Sequence, residues 1–205
     1  MELRFVDFLE FIGTFAFAIS GIRLASAKHF DWFGAYVVGL ATAVGGGTLR
    51  DLLLGVTPFW MLSPSYLIFT AIAFFFVVLF RKMLVRLDSA FFYFDTIGLG
   101  LFVVVGCSKT LQMEAHYAYW VAITMGMLTG AAGGVIRDIL INEVPLIFRK
   151  EIYALACFFG GVAFCLCDAI GVESVVAQIV SAVTVVIIRV LAVKYHLCLP
   201  VLKRE

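Results

Sequence analysis

The 205-residue chain is 63% hydrophobic, with a mean hydropathy of +1.09 and a net charge of +1. Soluble domains sit nearer half apolar, so this excess excludes a soluble globule and leaves no room for a soluble domain beside the membrane part. A near-neutral charge without a basic tail gives no footing for nucleic acid, and no nucleic-acid partner is expected.

Seven apolar runs follow in order, at about 5–25, 32–56, 64–81, 90–108, 117–141, 150–168 and 172–193. Roughly 20 apolar residues cross a bilayer as helix, and these runs lack the alternation of barrel strands. The expected fold is an all-α membrane protein of seven transmembrane helices, one transmembrane domain over 1–205. Short polar breaks separate the helices at Lys28 to Asp31, Thr57 to Pro64, Arg81 to Asp88, Glu114 to His116, Asn142 to Pro145 and Asp168 to Glu173. The start, Met1-Glu2-Leu3-Arg4, is not followed by a short apolar core with a small-residue cleavage site, so no removed signal peptide is expected.

One stretch occurs twice. Ala35 to Pro58 carries Gly45-Gly46-Gly47-Thr48-Leu49-Arg50-Asp51, and Ala122 to Pro145 carries Gly133-Gly134-Val135-Ile136-Arg137-Asp138, at an offset of 87. The flanks repeat as well: Glu10 to Gly21 matches Asp95 to Gly106 at an offset of 85, and Tyr66 matches Tyr153. The chain is therefore helices 1–3 (5–81), helices 4–6 (90–168) and an unmatched seventh (172–193). Because three is odd, the second unit must cross from the opposite side, which makes two inverted three-helix repeats. Eleven basic residues (Arg23, Lys28, Arg81, Lys82, Arg86, Arg149, Lys150, Arg189, Lys194, Lys203, Arg204) fall on one side, against Arg4 and Lys109 on the other. Basic loops stay cytoplasmic, so the N-terminus is expected outside and the C-terminus inside.

Ala35, Gly39, Ala43, Gly47 and Asp51 form one row of spacing four, and Ala122, Gly126, Gly130, Gly134 and Asp138 form its twin. Such rows let helix backbones approach closely in membranes. The rows of helices 2 and 5 are expected to pack on each other, leaving Gly13, Gly98 and Gly100 for contacts between subunits. Three consecutive glycines cost a helix about 1 kcal/mol each relative to alanine, so a kink or local break at mid-membrane is the other use. Arg50 and Asp51 leave the helix about 100° apart and are not expected to pair simply with each other. Their partners should come from other helices, water or ions, with Glu10 and Asp95 as candidates. Buried charge of this kind is usually tied to a substrate or ion path, although a purely structural network is the alternative. The run lacks the Gly-Lys-Ser/Thr ending of a phosphate loop.

The remaining features read more plainly. Cys107, Cys157, Cys165, Cys167 and Cys198 are odd in number and the histidines are scattered, so free thiols are expected and no metal or cofactor. Arg189 should snorkel towards the cytoplasm. No Ser/His/Asp or Cys/His cluster supports an enzyme.

The doubled glycine-arginine-aspartate run, the inverted repeats and the extra helix together resemble the prokaryotic trimeric intracellular cation (TRIC) channels, a family that overlaps one labelled bacterial glycine transporters. The resemblance implies a homotrimer in a bacterial inner membrane, contacting membrane lipid, with a potassium- and sodium-conducting pore in each subunit. It implies kinked helices 2 and 5 lining that pore, with the kinks at Gly45, Gly46 and Gly47 and at Gly133 and Gly134. Thr48, Arg50, Asp51, Arg137, Asp138, Glu10 and Asp95 would form the ion path or its charged network. Ala132 replaces a third glycine in the second motif. A carrier for a small zwitterion such as glycine is the other function, because arginine and aspartate together match its carboxylate and ammonium.

Overall fold

The computed structural model describes residues 5–80, 90–149 and 152–198. Among them are seven α-helices: α1 (Phe5–Ala27), α2 (Trp32–Leu53), α3 (Ser65–Leu79), α4 (Ala90–Leu111), α5 (Tyr119–Leu140), α6 (Ala154–Ala169) and α7 (Ser174–Lys194). Short 3-10 helices at Phe59–Met61 and Leu146–Phe148 precede α3 and α6. Helices α1, α2, α4, α5 and α7 are long and apolar enough to cross a membrane, whereas α3 and α6 are apolar helices of 15 and 16 residues. All seven fall where the apolar runs place them. Arg4, Arg81, Lys82, Arg86, Lys150, Lys203 and Arg204, which carry much of the charge asymmetry, lie outside the described residues.

The chain ends α2 and α5 with the same device. At Gly55 (φ 72°) and at its twin Asn142 (φ 56°) the backbone turns left-handed. The amide of the next residue then returns to the helix, Val56 to the Asp51 carbonyl at 2.9 Å and Glu143 to the Asp138 carbonyl at 2.8 Å. Glycine and asparagine tolerate this conformation best, and the closure satisfies carbonyls that the helix end would leave open. A proline three residues further on, Pro58 or Pro145, then begins the 3-10 turn.

Reciprocal contacts establish how the two halves meet. A Cβ on Gly46 would collide with the Thr129 carbonyl oxygen, and one on Gly133 with the Thr42 carbonyl oxygen. Thr42 and Thr129 are twins, as are Gly46 and Gly133. The pairing ascends α2 while it descends α5, so these helices are antiparallel across a two-fold axis perpendicular to them. Helices α1 and α4 repeat the arrangement: Gly13 faces Phe102, Gly98 faces Phe17, and the two phenylalanine rings meet at 5.2 Å. The repeat is thus inverted, and its axis passes through two helix crossings, with α1, α2, α4 and α5 at the centre. Helix α3 flanks α1 and α2, α6 flanks α5 and α4, and α7 packs on α4 and α6, within the second half.

Two expectations about glycine are corrected. The rows of spacing four do not face each other: Gly39 faces Ile22 and Ala18 of α1, Gly126 and Gly130 face Val103 of α4, and Gly47 and Gly134 face Phe59 and Tyr153. The α2–α5 contact uses Gly46 and Gly133, one residue off each row. Gly13, Gly98 and Gly100 are occupied within the chain, by α4, α1 and α7 respectively, and are not free for another subunit. The glycines also do not break their helices, since α2 and α5 run as unbroken α-helix through both motifs. Packing of the two backbones against each other supplies the support that propensity withholds.

Gly46→Leu or Gly133→Leu should destabilise the protein by at least about 1–3 kcal/mol, the usual cost of overpacking, because here the obstacle is backbone. Gly55→Asn should leave stability near wild type, since Asn142 already performs the same turn. Thermal unfolding in mild detergent compares the three variants directly.

Candidate functional site

Each motif ends in a clamp. The Asp51 carboxylate accepts the Arg50 Nε–H through Oδ1 at 2.8 Å and the Phe59 amide through Oδ2 at 2.8 Å. The Asp138 carboxylate likewise accepts Arg137 Nε–H at 2.8 Å and the Leu146 amide at 3.0 Å. The expectation that adjacent arginine and aspartate do not pair is therefore corrected. The arginine stem is long enough to curl around the helix to the short aspartate, whose carboxylate is fixed by the loop eight residues ahead. Both arginines are fully buried.

Beyond the clamps the halves differ. Arg137 also donates through Nη1 to Asp95 of α4 and to Ser20 Oγ of α1, the latter at 2.8 Å, and its guanidinium lies 4.8 Å from the Phe91 ring. Asp95 is thus an arginine partner on another helix, as expected. Its twin Glu10 is not. Glu10 accepts Lys109 Nζ at 2.7 and 2.8 Å and the Tyr66 hydroxyl at 2.9 Å. Among the described residues Arg50 keeps Asp51 alone, with Nη2 at 2.7 Å as an ion-pair contact without hydrogen-bond alignment. Phe59 lies under both cations of this half, 5.7 Å from the Arg50 guanidinium carbon and 5.1 Å from Lys109 Nζ. Thr48 stands apart from the charges, accepting the Trp60 indole N–H at 3.0 Å.

A cavity of about 370 Å³ reaches the first clamp, with Arg50, Asp51, Thr57, Phe59, Lys109 and Met113 in its wall. At the other end of the molecule Lys28 bridges Glu143 at 2.5 Å, and Arg149 joins the same carboxylate at 3.2 Å. The twins of Lys28 and Glu143 are Met113 and Val56, which line the cavity instead. Among the described residues no cluster of histidine, cysteine, aspartate and glutamate could hold a metal ion, and the five cysteines are free.

Several members of the site escaped the sequence. Lys109 was expected only as a loop charge, yet it neutralises Glu10 across 99 residues. Its one signal is a lysine in the last turn of α4 whose twin is Leu24. Ser20 gives no signal because its own twin, Val105, is apolar. Arg189 does not snorkel. It is 1% exposed, stacked 4.9 Å from the Tyr153 ring and 5.4 Å from Phe92, because α7 seats it against the second half.

A helical membrane protein made of two antiparallel three-helix units about an internal two-fold, with charged clamps buried on both sides of the crossing, has the build of a transport protein. The chain belongs to the family described as Glycine transporter, which it matches over residues 7–82 and 92–169. Among curated relatives it is 38% identical to the UPF0126 inner membrane protein YadS of Escherichia coli K12, over 95% of each chain. Among solved structures it is similar to one from a study of conductance through TRIC cation channels, at 36% identity, a TM-score of 0.87 and 99% of each chain. It is also similar to the TRIC orthologue of Rhodobacter sphaeroides, at 34% identity and a TM-score of 0.88, over 94% of this chain and 98% of that one. The resemblance read from the doubled motif is borne out. This family and these solved neighbours are transporters and channels, not enzymes.

Removing one partner of a buried pair strands the other charge at a cost of about 3–5 kcal/mol. Arg137→Met, which strands both Asp95 and Asp138, should show a loss of at least that scale in thermal unfolding, whereas Asp95→Asn leaves Arg137 held by Asp138 and should cost less. Glu143 behaves differently. Hydrogen bonding to and the charge of Lys28, helped by the Arg149 charge, hold its carboxyl pKa below the ordinary carboxylate value. Its bridge therefore contributes fully above that ordinary value and fades as pH falls through the lowered one. Glu143→Gln should leave stability at pH 7 nearly unchanged, because the pair is exposed, and should remove a small component of the acid limb of stability against pH.

Proposed function

We propose that the protein is a homotrimeric channel for the monovalent cations potassium and sodium, with a pore through each subunit along α2 and α5. The observation that carries this reading is the pair of buried Arg-Asp clamps disposed by the two-fold on either side of the Gly46–Gly133 crossing, in a chain similar to TRIC cation channels. Gly45, Gly46, Gly47, Gly133 and Gly134 would be the flexible waist of the path. Asp51, Asp138, Glu10 and Asp95 would supply the negative charge that favours cations in a low-dielectric passage, and Arg50 and Arg137 would hold the waist. Thr48 would steady the first motif through Trp60. The trimer follows the name of the Rhodobacter relative, trimeric intracellular cation channel. An inner membrane follows the name of the Escherichia coli relative. The N-terminus would lie outside and the C-terminus in the cytoplasm, with 5–81 and 90–168 as the inverted repeats and 172–193 as the added helix, all in contact with lipid.

The family description favours a second reading, a carrier of a small zwitterion such as glycine. Rate separates the two, because an alternating-access cycle on the microsecond-to-millisecond scale of domain motion cannot sustain unitary currents. Purified protein in planar bilayers should pass potassium and sodium as discrete, roughly ohmic single-channel currents. Asp51→Asn and Asp138→Asn should lower cation preference over chloride. Saturable glycine counterflow in proteoliposomes, with no unitary current over a wide voltage range, would transfer the function to the carrier.

A further inference from the structure

The two-fold also pairs two cavities that the clamps do not use. One, of about 340 Å³, lies behind the α1–α2 turn, with His29, Phe30, Asp31, Trp32 and Phe74 in its wall. The other, of about 360 Å³, lies behind the α4–α5 turn, with His116, Tyr117, Tyr119, Phe164 and Asp168 in its wall. The inversion sets them at opposite ends of the molecule. His29 (φ 60°) and His116 (φ 46°) are twins, and so are Phe30 with Tyr117 and Trp32 with Tyr119. The rest of each wall does not follow the repeat. The third ring is Phe74 in one cavity and Phe164 in the other, and the twins of these are Gly161 and Val77. The carboxylate is Asp31 in one and Asp168 in the other, and the twins of these are Ala118 and Arg81. Three rings and one carboxylate are thus assembled twice, partly from positions that the duplication does not equate. Duplication accounts for a shared shape, but not for a shared composition reached from different residues.

Both carboxylates are exposed, unlike the buried charges of the motifs. Asp31 Oδ1 accepts the Gly34 amide at 2.7 Å, and Asp168 Oδ2 accepts the Tyr119 hydroxyl at 3.0 Å. Neither carboxylate has a cationic partner among the described residues. Aromatic rings present a negative face, and several rings beside a carboxylate suit a cation whose charge is spread over carbon-bearing nitrogen. We propose that the two cavities bind an organic ammonium group, primary or quaternary, one at each end of the molecule. Asp31 or Asp168 meets the charge, and the rings cover the alkyl part. A bare alkali cation is held less well, because rings replace its hydration water poorly. Soluble amines and the headgroups of ethanolamine phospholipids both carry the required group. The proposal concerns parts of the chain remote from the clamps and does not depend on the channel reading.

The test reads binding and needs no transport. Full-length protein in maltoside micelles is titrated with tetramethylammonium chloride at constant ionic strength, and NMR follows saturation transfer from the protein to the methyl protons. Transfer should saturate, and ethanolammonium chloride should compete for it. Asp31→Asn keeps the cap on α2, because asparagine caps as well as aspartate, and Asp168→Asn keeps an acceptor for Tyr119. Each should weaken one site by about tenfold, and the double variant both, as expected for loss of a charged partner. Trp32→Leu with Tyr117→Leu removes one ring from each cavity and should weaken binding by about threefold or more. Glu143→Gln removes a carboxylate outside both cavities and should leave transfer unchanged. The natural source is read in nanodiscs: replacing phosphatidylglycerol partly by phosphatidylethanolamine removes the saturable transfer if a lipid headgroup is the occupant and leaves it if a soluble amine is, and either result keeps the ammonium site. Absence of saturable transfer, undiminished transfer in the double asparagine variant, or competition by potassium as strong as that by ethanolammonium would overturn the proposal.

Discussion

The structure depends on a carboxylate that does two jobs at once. Asp51 and Asp138 each hold the arginine beside them and the backbone of the 3-10 turn eight residues ahead. Moving an unpaired guanidinium into a low-dielectric interior costs several kcal/mol at the least, so the arginine can be buried only with this partner in place. The loop, in turn, can fold back over the helix end only if its amide finds an acceptor there. One side chain thus satisfies a charge and a backbone group together. Its repetition fixes the ends of α2 and α5, the left-handed turns at Gly55 and Asn142, and the directions in which α3 and α6 depart.

The two-fold that relates the clamps is nearly complete in backbone and incomplete in charge. Its crossings use matched small and aromatic residues, Gly46 with Gly133 and Phe17 with Phe102. The polar partners differ. Tyr66 donates to Glu10, whereas its twin Tyr153 lies under Arg189, a residue of the helix that has no counterpart. Lys109 and Arg189 each bring a positive charge to one half from a position where the repeat offers none. Symmetry of packing with asymmetry of charge gives the molecule two ends that share a shape and present different chemistry.

Helices, their order and their inversion were legible in the sequence because they follow from the lengths of apolar runs and from an offset that is nearly constant. The buried charges of the two motifs, Arg50, Asp51, Arg137 and Asp138, were legible too, since charge within an apolar run stands out. Pairing was not. Whether Arg50 reaches Asp51, Glu10 or neither depends on side-chain length and on where the loop amide of Phe59 arrives, and neither is encoded in spacing along one helix. The glycine rows misled for a related reason. Spacing of four identifies a face but not the neighbour on it, and the residues at the α2–α5 crossing sit one position off the conspicuous row. Lys109 was invisible because its partner lies on another helix 99 residues earlier.

That last separation has a consequence for biogenesis. Glu10 is made 99 residues before the lysine that neutralises it, and Lys28 is made 115 residues before Glu143. At about 5–20 residues per second, α1 waits about 5–20 s for Lys109 to emerge. During that interval Tyr66, 56 residues on, is the first partner to arrive, and its hydroxyl cannot cancel the charge. The first three helices therefore form a unit that is complete in topology and incomplete in electrostatics. They cannot mature as an independent half, because the Glu10 charge is met only when α4 threads in beside α1.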